Sequence, residues 1–315
     1  MVNGLKRIMI IHGGAGRIDE RLIRDRIEGL RDAIKMGFER LLDSDDPVEA
    51  VVEAVAYMED TGLFNAGAGS IPTSDGDIEM DAAVMDWRGR YGSVGAIPNI
   101  RNPVRLAYWL MNNSRHRLLV GDKAKKLAFR LGFTEYNLGQ LTGLRRINEY
   151  MDRVKRPDSY PRKLLDEAQR IYSGLDTVGA LARNSRGEIA GAVSTGGLLF
   201  KLGGRVGDSS IIGAGLMVDG LSGAVATGIG ETIMDTHLCL RITSMRRYMT
   251  LRAACIKAIR YHTRMRGKGT AGVICIDRFG WYGWMYNTEM MSVSYMHEDM
   301  DEPFVTHRGE GFYKI

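Results

Sequence analysis

Cysteine is scarce in this 315-residue chain: only Cys239, Cys255 and Cys275, widely spaced and without a CxxC pair. That argues against a disulfide framework and a zinc knuckle, and leaves the three as small buried hydrophobes. Long apolar runs are missing too. Nothing approaches the ~20 apolar residues of a membrane span. The run Ile8-Met9-Ile10-Ile11 is too short for a secretory signal, so a cytoplasmic protein is expected. No Gly-Lys-Ser/Thr of a P-loop occurs, and His12-Gly13-Gly14-Ala15-Gly16 lacks the full GxGxxG spacing. A basic patch interleaved with aromatics is also absent. Net charge is +5, but 38 acidic residues are interspersed with 43 basic ones. The strongest basic run, 241–266, has an apolar helical face, so its cations read as a solvated surface. Neither nucleic acid nor a membrane is expected as a partner.

What is present is an ordinary globular balance, 44% hydrophobic and 26% charged, enough for one large domain. Residues 8–11 read as a short strand ended by a glycine turn. Residues 21–42 have helical periodicity. Asp46-Pro47 marks a second helix start, with Asp46 as N-cap and proline in the first turn. Asn102-Pro103 repeats the device. Residues 63–70, LFNAGAGS, form a glycine loop leading to a strand over 78–86. The stretch 145–175 is polar and broken by prolines, a linker in composition, with a candidate helix at 162–172. After it come the hairpin 177–183/189–195 around Asn184-Ser185-Arg186-Gly187, a short run at 224–227, a helix over 233–264, and a second hairpin at 271–277/281–287. Short hairpins without strict βαβ alternation predict an α+β fold of packed antiparallel sheets with helices outside.

The second half places glycines beside hydroxyls, one arginine and one aspartate: STGG at 194–197, GRVGDS at 204–209, GAG at 213–215 and ATGIGE at 226–231. Such a set can line a small polar pocket. Arg205 can read a carboxylate through two parallel hydrogen bonds, and Asp208 can hold an ammonium group. Together they fit the head group of an α-amino acid. The plain alternative is a surface ion pair between Arg205 and Asp208 at i, i+3.

Taken in order, HGGAG at 12–16, LFNAGAGS at 63–70, DTVGALA at 176–182, STGG at 194–197, GRVGDSSIIGAG at 204–215 and ATGIGE at 226–231 resemble the plant-type asparaginase and isoaspartyl peptidase family of N-terminal nucleophile hydrolases. The resemblance spans residues 8 to about 296. It implies a four-layer αββα sandwich, two antiparallel sheets between helical layers. It also implies a precursor that cuts itself between Asp176 and Thr177, giving pieces 1–176 and 177–315. The chemistry is intelligible in itself. A threonine hydroxyl is a poor nucleophile until a base takes its proton. Cleavage would give Thr177 a free α-amine, titrating near ~7.7–8.0, to serve as that base.

By the same resemblance, Thr195 orients the Thr177 nucleophile, and Thr227 and Gly228 are oxyanion-hole donors. Arg205 and Asp208 clamp the substrate head group, Gly230 contacts substrate through its backbone, and Asn65 acts near the nucleophile in maturation. The carbonyls of Met58, Glu59, Thr61, Phe64, Ala66 and Ala68 resemble a loop that holds a structural sodium. No other cofactor is implied. The implied substrates are L-asparagine and β-aspartyl dipeptides, and the implied assembly is a dimer of cleaved αβ units. One departure matters. Many plant-type members carry glycine where this chain has Asp176, and Asp-Thr is what glycosylasparaginases have. A glycosylasparaginase-like amidase, and an uncleaved protein that uses its glycine loops only to bind a ligand, are the alternatives.

Overall fold

Side chains alternate across the strands, and the alternation sorts the apolar residues into three separate cores. In β1 (Ile8–Gly16), Met9 and Ile11 enter one core while Ile8 and Ile10 enter a second. In β9 (Ser222–Gly228), Val225 joins the second core, and Ala224 and Ala226 enter a third. Three cores separate four layers: helices, a sheet, a second sheet, helices. The computed structural model describes residues 5–16, 22–137, 139–143, 174–175 and 177–315, with backbone alone at 174–175. Asp176, most of the 145–175 linker and the candidate helix at 162–172 lie outside the described residues.

The outer helices over the first sheet are α1 (Ile23–Ser44), α2 (Pro47–Thr61), α3 (Pro103–Asn113) and α4 (Gly121–Arg130). The sheet contains β2 (Glu79–Asp86), β3 (Tyr91–Pro98), β4 (Leu118–Val120), β5 (Gly174–Leu175), β6 (Val178–Arg183), β7 (Ile189–Thr195), β12 (Met290–His297) and β13 (Phe304–Thr306) besides β1. Its order is β13-β12-β1-β6-β7-β2-β3-β4, with β5 also on β1. The second sheet is β14 (Gly311–Lys314), β11 (Trp281–Tyr286), β10 (Ala271–Asp277), β9, β8 (Leu216–Val218). It is covered by α5 (Gly230–Thr236), α6 (Leu238–Arg246) and α7 (Leu251–Arg266). All three cysteines are buried and free. The α+β sandwich is therefore as expected, with one exception: the edge strand β4 runs parallel to β3.

Three local expectations need correction. The strand 8–11 does not end at the glycines. It continues to Gly16 through an irregularity between His12 and Ala15, where Gly14 adopts φ +105°. The helix over 233–264 is three helices, because His237 takes a left-handed φ of +44° between α5 and α6, and Thr250 restarts the chain by capping Ala253 N–H. Asp46 does cap α2 through Val48 N–H at 2.8 Å. Asn102 does not cap α3. Its amide donates instead to Ala56 O and Glu59 Oε2. Glu59 takes over part of the capping role from α2, accepting Val104 N–H at 3.2 Å. Burial, partly opposed by these hydrogen bonds, pushes the Glu59 carboxyl up to about 7.

Candidate active site

Thr177 stands just before β6, 6% exposed, in the strand next to β1. Its hydroxyl donates to Thr195 Oγ1 at 3.1 Å, because β6 and β7 are hairpin partners and Thr195 ends β7. Thr195 Oγ1 also accepts Gly197 N–H at 3.0 Å. Asn65 then fastens the loop beyond β7. Its amide donates to Gly197 O at 2.7 Å, and its own carbonyl accepts Gly196 N–H at 2.9 Å. The three residues Thr177, Thr195 and Asn65 are thus connected through two short steps.

Thr227 and Gly228 end β9 of the other sheet, which faces β6 across the inter-sheet core. A Cβ at Gly179 would touch Val225, and a Cβ at Gly223 would touch Leu181. The strands β6 and β9 therefore run in opposite directions across the core, and Thr177 and Thr227 each stand two residues beyond the Gly179–Val225 contact. Gly228 has φ +150°, and any side chain there would fall on the Thr270 carbonyl.

Arg205 and Asp208 converge on Gly230, the first residue of α5. A Cβ at Gly230 would lie 2.5 Å from Arg205 Nη2 and 2.8 Å from Asp208 Oδ1. Glycine leaves that space open. The expected alternative, a surface pair between the two, is not what forms. Arg205 is bound instead by Glu231, Nε and Nη2 each 2.9 Å from a carboxylate oxygen. Asp208 is 4% exposed, and its Oδ2 has no hydrogen-bond partner among the described residues. Burial drives its carboxyl up to about 7; Arg205 pulls it down, and Asp81 pushes it up. A buried carboxylate oxygen without a donor is what an incoming ammonium group would satisfy. Gly197 connects this seat to the Thr177–Thr195 pair, since its N–H reaches Thr195 and a Cβ on it would be 3.2 Å from Arg205 Nη1.

Sequence reasoning missed the groups behind this seat. Asp81 on β2 accepts Gly207 N–H and Ala96 N–H, both at 2.8 Å, and Glu79 accepts Gly204 N–H at 2.8 Å. They hold the loop 204–207 against the start of β2. Lys201, 5% exposed, donates to Glu79 O at 2.9 Å. His12 was quoted for its neighbouring glycines, yet its ring is fully buried beside Gly179. Burial pushes it down to about 3, against a backbone contact with Thr177 that favours the charged form. It is a neutral wall beside Thr177. Glu231 lay inside the quoted ATGIGE motif, but nothing in the sequence paired it with Arg205.

A family model described as Asparaginase matches residues 5–306. The chain belongs to the asparaginase family. It is similar to the plant-type L-asparaginase of Pyrococcus horikoshii, 39% identical over 302 residues covering 94% of this chain and 98% of that protein. The plant-type L-asparaginase of Pyrobaculum calidifontis is also 39% identical, over 90% of this chain and 95% of its own. The isoaspartyl peptidase/L-asparaginase of Xenopus laevis is 37% identical over 94% of each chain.

The expected sodium loop lies at the end of α2 and just beyond. A Cβ on Gly67 would strike the Glu59 carbonyl, and one on Gly69 the Phe64 carbonyl, so these two oxygens border a tight backbone turn. The Met58 and Ala66 carbonyls accept Thr61 Oγ1–H at 2.9 Å and Gly69 N–H at 3.0 Å, which leaves each a second lone pair. Ala68 lies buried in the same turn. Carbonyl oxygens at close quarters fit a hard monovalent cation. Among the described residues no group of three or more His, Cys, Asp or Glu is placed to hold a metal. No described helix is long and apolar enough to cross a membrane.

Proposed function

We propose that this chain is a threonine hydrolase that matures by cutting itself before Thr177, and that it then splits the side-chain amide of L-asparagine and the β-linked bond of aspartyl dipeptides. The observation that carries the reading is the seat formed by Arg205 and the unpartnered Asp208 carboxylate around Gly230, tied through Gly197 to the Thr195–Thr177 hydroxyl pair. Both substrates present the same aspartyl head group. Its α-carboxylate faces the guanidinium, and its α-ammonium faces Asp208 Oδ2.

The freed amine of Thr177 takes the proton of its own hydroxyl, and Oγ attacks the side-chain carbonyl carbon. Negative charge then collects on the carbonyl oxygen, facing Thr227 and Gly228 at the end of β9. The ammonium just formed on Thr177 protonates the leaving nitrogen, the C–N bond breaks, and ammonia or an amino acid departs. Water, deprotonated by the same amine, attacks the β-aspartyl ester and releases aspartate. Asn65, holding Gly196 and Gly197, keeps Thr195 in line during maturation and turnover. A sodium ion in the loop from Met58 to Ala68, a dimer of cleaved αβ units and a cytoplasmic setting belong to the same reading, and no other cofactor enters it. The test is the intact mass of the purified protein together with turnover of asparagine, a β-aspartyl dipeptide and a glycosylated asparagine. The expected result is two chains, the second starting TVGALARN, with activity on the first two substrates. A Thr177→Ala variant should stay as one inactive chain; an active Thr177→Ala enzyme would reject the reading.

A further inference from the structure

We propose that His262, on α7, is a positioning residue that holds both ends of the segment 227–236 and so sets the groups that face the reacting carbonyl oxygen. The inference rests on the reading of Thr227 and Gly228 given above. His262 is fully buried and uses both ring nitrogens: Nδ1 is 2.8 Å from Thr236 Oγ1, and Nε2 is 3.0 Å from Thr270 Oγ1. Each threonine hydroxyl also has a backbone carbonyl in reach, Gly267 O at 3.0 Å for Thr270 and Thr232 O at 3.0 Å for Thr236. A neutral ring therefore donates to one threonine and accepts from the other. Burial, with Arg266 adding to it, holds the ring down to about 4, so it is neutral at neutral pH. A neutral, buried ring with both nitrogens in use is a tie and not a proton carrier.

What it ties is specific. Thr270 O accepts Ile229 N–H at 2.9 Å, while the next two residues of β10 register with the proposed oxyanion groups, Ala271 with Gly228 and Gly272 with Thr227. Thr236 is the last residue of α5, the helix that begins at Gly230 and carries Glu231, the partner of Arg205. One ring thus spans from the strand that registers Thr227 and Gly228 to the far end of the helix that aims the arginine. Asn287 supports the strand side: its Oδ1 accepts Thr270 N–H at 2.9 Å and Ala271 N–H at 2.8 Å.

Three variants separate the tie from mere filling of space. His262→Phe keeps the volume and removes both polar contacts. His262→Gln keeps an amide where Nε2 stands, able to donate to or accept from Thr270, and so keeps Thr270. Thr270→Val removes the same contact from the other side. On cleaved enzyme, His262→Phe and Thr270→Val should each lower kcat by about tenfold to a hundredfold, with KM within about twofold of wild type. The double variant should fall no further than either single one, and His262→Gln should recover most of kcat. Should His262→Phe not fold, Thr270→Val and His262→Gln decide the matter alone. Thr270→Val at wild-type kcat, or a His262→Gln enzyme as impaired as Thr270→Val, overturns the proposal while leaving the catalytic reading intact. An uncut, inactive wild type overturns both.

Discussion

Replacing Arg205 with alanine separates substrate binding from maturation. The side chain is 15% exposed, and the carboxylate of Glu231 holds its fork through Nε and Nη2. Two interactions are lost together, and their magnitudes differ. Glu231 is 49% exposed and returns to water on losing its partner. A pair of that kind contributes about 0–1 kcal/mol, so the fold should survive. The substrate's α-carboxylate would instead be left unpaired in a partly desolvated site, at a cost of about 2–5 kcal/mol. That corresponds to roughly thirtyfold to several thousandfold in kcat/KM. A second effect acts in the same direction. Arg205 opposes the burial that pushes Asp208 up to about 7. Without it, less of Asp208 is ionised at neutral pH, and the ammonium seat weakens as well. Because both contacts exist before the reaction begins, the loss should appear mainly in KM. Some kcat should be lost too, since a poorly held substrate is misaligned. Arg205→Lys should fall between, keeping the charge but not the fork. The assay is to measure chain cleavage and asparagine turnover on one preparation. Cleavage should be nearly normal, since the bond before Thr177 offers no free α-carboxylate. A variant that cleaves normally and keeps the wild-type KM would refute the assignment of Arg205 and remove the physical basis for an aspartyl head group.

Asp208 must be ionised to hold an ammonium group, so kcat/KM, already falling about tenfold per pH unit as the Thr177 amine is protonated, should steepen to about a hundredfold per unit on the acid side of about 7; a slope that stays near tenfold per unit down to pH 5 would contradict that role. Glu59, raised above its ordinary value to about 7, binds more protons folded than unfolded between those values. Its contribution is present at low pH and is lost as pH rises toward 7, so Glu59→Gln should flatten the pH dependence of urea unfolding over that window. Gly228→Ala should abolish turnover, because its φ of +150° and the Thr270 carbonyl both exclude a side chain; an active, correctly folded variant would argue against the strand end described here. The two chains of cleaved enzyme should co-elute in native size exclusion and separate only in denaturant.

The layers were legible because strand alternation and helix spacing are local signals. Val51, Val55 and Met58 recur along α2, and all three are buried against the first sheet. Turn chemistry was legible for the same reason at Asn184–Gly187, and at Asp46-Pro47. The failures share one cause: a partner distant in sequence took over a local group. Asn102 has the form of a cap, yet Glu59 claims the helix end and Asn102 serves α2. Arg205 and Asp208 are spaced as a surface pair, yet Glu231 binds the arginine and burial isolates the aspartate. The proposed site residues rest on ordered motifs rather than on local spacing. The acids Glu79 and Asp81, which hold their loop, carried no motif and became visible only when β2 was placed beside residues 204–207.

The strand order explains how a chain cut before Thr177 would keep its site. Residues on both sides of the cut contribute to it: Asn65 from the first piece, and Thr195, Arg205, Asp208 and Thr227 from the second. Separation of the pieces would dissolve the site, but the first sheet interleaves them. β1 lies between β12 and β6, both from the second piece, pairing with β12 from Ile8 to Gly16 and with β6 from Ile8 to His12. β2, from the first piece, pairs with β7 from the second over six residues, Asp81 to Asp86. Removing the first piece would therefore expose three rows of backbone hydrogen-bonding groups and split two of the three cores, since Met9 and Ile11 contribute to one and Ile8 and Ile10 to another. The bond before Thr177 lies next to the Gly174–Leu175 bridge to β1 and before the first residue of β6, so breaking it disturbs no pairing within β6. A cut there changes the chemistry of one amine, while the sheet continues to hold that amine beside Thr195.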